Sequence, residues 1–436
     1  MQPIRLACAC IVGLLACSTT AFAFKIEEIE STKGIKAWLV EEHSVPLIAI
    51  KFSFDGGAAQ DPLGKEGLAH MLSDLLTEGA GDLSAAAFKD RVAELGARLS
   101  VSHGRDVIYG GLEALSKRFR DSAELLRLSL VAPRFDAEAV SRVKNQQLND
   151  LALAAKRPTV VARNRWYAET FPGHVYGRPP DGTQESLGRL TRDDIAAHRA
   201  RLLARDVLRV VIVGDIDKSA AIEAIDRIFG GLAEKAQLTP VAKVEPRPSP
   251  APVVVTEDNP LATAVFGLAS LESRDPDFPA LQVLNQIIGS GDFDSQLMAE
   301  IRVKRGLAYS VKTNLLNDTI AAVLLGGMST KNENMNDALA IVRKVLADAA
   351  QDGPTPSQFE NAKLYLTGSY LLDFDTNIKM AGSLLGIWLD GRGPDYLLAR
   401  NDRINAVTLK DVKRVAERVL KPDQLIVTIV GRPKIQ

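Results

Sequence analysis

Apolar and polar residues alternate along Ile35 to Val40 and again along Leu47 to Phe54, the period-two pattern of strands that bury one face. Further on the period lengthens. Apolar positions three and four apart run through Glu66 to Leu76, Ser84 to Leu95 and Ala137 to Ala155, which predicts amphipathic helices. Arg98 to Ser102 reads as another strand. A sheet covered on one face by helices satisfies this order.

The pattern occurs twice. Thr191-Arg192-Asp193-Asp194 opens a helical stretch that leads to the apolar run Val210-Val211-Ile212-Val213 and then Gly214, and Thr408-Leu409-Lys410-Asp411 opens another that leads to Ile426-Val427-Thr428-Ile429-Val430 and Gly431. A threonine followed three positions later by an acidic residue is a helix-start signature, and a β-branched run reads as a buried strand. Caps and strands are common, but 408 − 191 and 431 − 214 both equal 217, and a shared offset implies a duplicated α+β unit. Pro240, Pro246, Pro248, Pro250 and Pro252 lie between the copies, where neither helix nor central strand can form. The organisation expected is a first α+β domain over residues 24–235, an extended Pro-rich linker over 236–252, and a second α+β domain over 253–436, each a mainly antiparallel sheet covered by helices.

Length agrees, since 436 residues exceed what one core usually holds. A hydrophobic share of 46% and a charged share of 25% are those of an ordinary soluble protein. A formal net charge of −1 offers no basic field for nucleic acid. Residues 1–23 read as a signal peptide: Arg5 is its basic end, Leu6 to Leu15 its apolar run, and Ala21-Phe22-Ala23 its cleavage site. That run is too short for a permanent membrane span. Export to the periplasm is therefore expected, with Phe24 leading the mature chain. Leu14-Leu15-Ala16-Cys17 offers the alternative of a lipoprotein anchored through Cys17. All three cysteines, Cys8, Cys10 and Cys17, precede Ala23. The processed chain then has no disulfide framework and no thiol for zinc, leaving histidine and carboxylate.

Those donors converge on His70-Met71-Leu72-Ser73-Asp74. In the inverted motif His-x-x-Glu-His, two histidines one helical turn apart hold zinc, and the glutamate takes a proton from the metal-bound water. Here Ser73 stands at the position of the base and Asp74 at that of the second ligand. A serine hydroxyl has no useful basicity near neutral pH, and losing a general base removes about 10²- to 10⁴-fold in rate. His70 and Asp74 still share a helix face. Glu78 enters the following loop and is not placed to replace the base. His43, His103, His174 and His198 are scattered without ligand spacing.

Gly67-Leu68-Ala69-His70 followed by Leu75-Leu76-Thr77-Glu78-Gly79 resembles the pitrilysin/insulinase family of zinc metallopeptidases, including its bacterial two-subunit members. The resemblance continues in order through Phe171-Pro172-Gly173-His174, Tyr176-Gly177, Gly306-Leu307-Ala308-Tyr309 and Leu366-Thr367-Gly368-Ser369. It implies that Asp150, 76 positions after Asp74 (150 − 74), stands where the family has its third ligand, a glutamate. His70, Asp74 and Asp150 are then degenerate metal positions, a one-nitrogen, two-oxygen set that suits zinc poorly. It further implies that Arg302 and Tyr309, seven positions apart, project from the second domain toward substrate. There an arginine grips a peptide carbonyl and a tyrosine hydroxyl donates to the developing oxyanion. Gly289 and Gly291 correspond to a shortened form of the family's glycine-rich loop and are candidate substrate contacts, and Arg98 to Ser102 corresponds to the edge strand on which a peptide lies.

The function expected is that of a non-catalytic subunit of a heterodimeric zinc endopeptidase acting on peptides or unfolded segments. This chain is expected to bind no cofactor itself, and its homologous partner supplies both zinc and base. The alternatives are a structural or peptide-binding scaffold and a self-sufficient metallopeptidase with an altered site.

Overall fold

A computed structural model describes residues 25–434 apart from 250 and 318. The expected signal peptide and the three cysteines lie outside the described residues. The first sheet contains β1 (Glu27–Glu30), β2 (Lys36–Glu41), β3 (Leu47–Asp55), β4 (Arg98–His103), β5 (Val107–Leu115) and β6 (Leu208–Gly214), in the order β1-β2-β6-β3-β5-β4. The second contains β7 (Val253–Thr256), β8 (Leu261–Ala269), β9 (Ala308–Asn317), β10 (Ala322–Lys331) and β11 (Ile426–Gly431), in the order β7-β11-β8-β10-β9. With β1 set aside the two orders match strand for strand, and only β2 with β6 and β7 with β11 run parallel.

The duplication extends to atoms. Thr191 and Thr408 each receive the backbone N–H of the aspartate three positions on at 3.2 Å, and each donates its own N–H to that carboxylate at 3.0 Å. Both are capping boxes that satisfy amides left over at a helix start. Gly214 and Gly431, which end the matching strands, have φ of 144° and 143°. At Gly214 a Cβ would lie 2.2 Å from the carbonyl oxygen of Leu47, so only glycine fits.

Alternation along the strands sends Ile48, Ile50, Phe52 and Phe54 into the first core beside Leu68, Leu72 and Leu75. The opposite face, with Trp38, Val40, Val211 and Val213, is equally apolar. Strands buried on both faces read as continuous apolar runs, as Val210 to Val213 do. The helix that covers this second face, Asn377–Leu389, comes from the other half of the chain. Trp388 stacks on Trp38 with ring centroids 4.8 Å apart, and the Asn377 amide donates to Leu47 O at 3.1 Å. The exchange is reciprocal. Helix Pro158–Thr170 of the first half lies on β8 and β11, where Trp166 is fully buried and its indole N–H donates to Ile426 O at 3.1 Å. Division at the linker therefore separates the sheets but not the packing units, because each sheet needs a helix from the opposite half.

The linker is tied down along both halves. Amides of Gln237 and Thr239 donate to Arg201 O and Gln60 Oε1 at 2.8 and 2.7 Å, and the Arg247 amide donates to Thr170 O at 3.0 Å. Among the described residues no helix is long and apolar enough to cross a membrane.

Candidate functional site

Helix Leu68–Leu75, which carries the degenerate motif, is seated by groups packed around its first turn. The buried carboxylate of Asp61 accepts the amides of Gly67, Leu68 and Ala69 at 2.8, 3.0 and 2.9 Å. This satisfies the free N–H groups of the first turn and places negative charge at its positive end. His198 Nε2 approaches the same carboxylate at 3.2 Å. Gly67, with φ 91°, and Gly182, with φ 81°, let the turn Pro179-Pro180-Asp181-Gly182 press on the helix start. A Cβ on Gly67 would lie 2.8 Å from Asp181 O, and one on Gly182 would lie 2.4 Å from Glu66 O. Ser186 Oγ donates to Glu66 O at 2.7 Å and holds the turn in place.

Ser73 is 1% exposed, and its hydroxyl donates back along the helix to Ala69 O at 2.8 Å. That proton is committed to the helix backbone, so position 73 supplies no base. Glu78 supplies none either: Lys89 binds one of its oxygens at 2.6 Å and Arg142 the other. Asp74 lies 3.5 Å from His70 Nε2 and accepts the Gln147 amide at 2.7 Å. On helix Ala137–Ala154 it is thus the buried Gln147 that meets Asp74, while Asp150, three positions on, is exposed. The family's zinc does not fit these residues, because one carboxylate is held by an amide and the other does not converge on His70.

The expectation that the other histidines are scattered fails at His103. This residue ends β4 on the face it shares with Leu99 and Val101, which pack toward the core. Its ring stacks on that of His70 with centroids 4.4 Å apart and an interplanar angle of 25°. Asp181 lies beside both, with Oδ1 3.1 Å from His103 Nε2 and 3.8 Å from His70 Nδ1. Among the described residues His70, His103 and Asp181 form a trio whose donor atoms all lie within 4.8 Å of one another. Burial, reinforced by the His103 charge, holds the His70 pKa below the usual histidine value, so its ring is neutral at neutral pH. The hydrogen bond from His103 keeps Asp181 below the ordinary carboxylate range. Strand alternation carried a signal for His103, whereas Asp181 comes from a distant turn that no spacing announces.

The second half presents different chemistry. Tyr309 is 80% exposed near the start of β9, the edge strand of its sheet. Arg302 lies on a π-helical segment, Met298–Val303, in which the Lys304 amide reaches back five residues to Ala299 O at 3.0 Å. Such wide turns are frequent at functional sites. The Arg302 guanidinium sits 4.2 Å from the Tyr309 ring centroid and 4.6 Å from that of Phe293, itself 59% exposed. The two residues paired from sequence thus meet in one stack, the half-buried Arg302 against the exposed ring of Tyr309, and the exposed Phe293 joins it unforeseen. Gly289 is buried in a second π turn, Gln286–Ser290, where a Cβ would lie 2.3 Å from Thr313 Oγ1. At Gly291 a Cβ would lie 2.5 Å from Gln286 O. Both glycines thus sit where a side chain would meet a close neighbour, Gly289 against the Thr313 side chain and Gly291 against the Gln286 backbone.

Residues 37–183 match the family description "Insulinase (Peptidase family M16)", and residues 189–366 match "Peptidase M16 inactive domain". The chain is similar to the non-peptidase homolog YmxG of Helicobacter pylori, with 24% identity over 95% of each chain. It is also similar to the uncharacterized zinc protease YmxG of Bacillus subtilis, with 22% identity over 93% of this chain and 98% of that one. A solved structure of a peptidase M16 inactive domain from Pseudomonas fluorescens superposes with a TM-score of 0.89 at 24% identity, covering 94% of this chain and 98% of the other.

Proposed function

Because the chain belongs to peptidase family M16 and is of its inactive type, we propose that it is the non-catalytic subunit of a heterodimeric zinc endopeptidase acting on peptides or unfolded segments. The partner is a homologue with an intact His-x-x-Glu-His motif, which supplies the zinc and the base. This subunit supplies Arg302 and Tyr309 in trans, the guanidinium to hold a peptide carbonyl and the phenol to donate to the oxyanion. Both subunits act in the periplasm after export.

The observation that carries this reading is the opposite condition of two neighbourhoods. At the motif helix the Ser73 hydroxyl is buried against Ala69 O, whereas the half-buried Arg302 stacks on Tyr309, which stands exposed. The test is peptide turnover by the purified chain, by its zinc-bearing homologue, and by the two mixed. Turnover is expected only from the mixture, and Arg302→Ala or Tyr309→Phe is expected to lower it about 10- to 1000-fold. Cleavage by the isolated chain would overturn the reading. Variants that leave the mixture fully active would instead establish a scaffold.

A further inference from the structure

The trio of His70, His103 and Asp181 joins three separate elements: the motif helix, the end of the β4 edge strand, and the turn seated by Gly67 and Gly182. His70 Nδ1 is shielded from solvent and has no hydrogen-bond partner, although Asp181 Oδ1 lies only 3.8 Å away. A buried nitrogen left unpaired is costly, and a bound cation is one way to satisfy it. Zinc bonded at about 2.0–2.1 Å sets tetrahedral donors about 3.4 Å apart. That lies between the separations of Asp181 Oδ1 from His103 Nε2, 3.1 Å, and from His70 Nδ1, 3.8 Å. The second nitrogen of His70, Nε2, faces Asp74 at 3.5 Å, and Gln147 holds Asp74 in turn. A carboxylate behind an imidazole is the arrangement that orients metal-binding histidines.

We propose that His70, His103 and Asp181 hold a divalent ion of the zinc class, with Asp74 as the carboxylate that orients His70. The ligand set has two nitrogens and one oxygen and leaves a fourth position open. It differs from the degenerate positions because His103 and Asp181 replace Asp74 and Asp150. The ion grips and does not hydrolyse, since Ser73, Asp74 and Glu78 are all engaged elsewhere. It pins the edge strand to the motif helix. This proposal is independent of the subunit reading.

The test starts from the full chain treated with EDTA and dialysed, then titrated with zinc or cobalt(II). One ion per chain is expected. X-ray absorption of the zinc form is expected to show two imidazole donors, and zinc is expected to raise the melting temperature. His103→Gln and Asp181→Asn are expected to weaken binding by 100-fold or more, Asp74→Asn by about 10- to 100-fold, and Asp150→Asn not at all. Melting in EDTA provides the control for folding of each variant. Absence of stoichiometric binding would overturn the proposal. So would a single imidazole donor, or binding that survives His103→Gln and is lost in Asp150→Asn, since either assigns the ion to the degenerate set. The donor count needs no variant, so it decides the matter even if the substitutions unfold the chain.

Discussion

The two halves follow the same path yet treat their edge strands in opposite ways. Beside β4 a regular helix has its polar groups engaged within the protein: Ser73 binds Ala69 O, Gln147 binds Asp74, and Asp61 closes the helix start. Beside β9 the backbone is π-wound and lifts Arg302 into a stack between Phe293 and Tyr309 at the surface. Both halves keep the Thr-Asp capping box and the strand-ending glycine, 217 residues apart. Frame and chemistry are thus separable. The capping carboxylate and the close-packed glycines of the first half serve the fold whether or not a base is present.

The contrast is tested most severely through what the halves share. Trp166→Ala removes a fully buried ring and its hydrogen bond to Ile426, and is expected to cost about 3–5 kcal/mol. Urea denaturation should still show one transition; two separated transitions would mean that the halves are independent units and the contrast concerns two proteins in one chain. Asp61→Asn tests the frame of the motif helix alone. It removes the charge that faces three backbone amides and is expected to cost about 1–2 kcal/mol without lowering partner-supported turnover. A collapse of turnover at unchanged stability would show that the helix retains a chemical role.

Acid should find the first half before the second. The folded state resists protonation of His70, whereas the unfolded chain takes up that proton near its ordinary value of 6.5. Stability is therefore complete above that value and declines as pH falls through and below it. Asp181 adds a decline of the same sign below its ordinary 3.8, because its folded-state pKa is also depressed. The urea midpoint should be lower at pH 5 than at pH 8, and His70→Gln should flatten that difference. The smallest effect expected is that of Ser73→Ala: under about 1 kcal/mol by thermal melting, with turnover of the mixture unchanged, because Ala69 O keeps its helical bond. A drop in turnover would return function to position 73.

Caps and β-branched runs are local, so the duplication, the strand faces and both capping boxes were legible in the chain itself. The helix that covers each second face was not legible. The apolar run Val210 to Val213 announces burial on both sides but says nothing of where the cover comes from. The loss of the base was readable at Ser73, and the pairing of Arg302 with Tyr309 was readable from resemblance. The π winding that brings that pair to Phe293 left no mark in the spacing. His103 could have been found by continuing the alternation of Leu99 and Val101 one step further. Asp181 could not, because its approach to His70 depends on two glycines, Gly67 and Gly182, lying back to back across 115 residues (182 − 67).

The crossed helices also alter what the Pro-rich strap is for. Each half reaches over and clasps the other through a tryptophan, so the peptide bonds between them add continuity to an embrace that is already closed. A protease that nicked the strap would leave two fragments still folded together, whereas either fragment made alone would show water an apolar sheet face it has no means to hide.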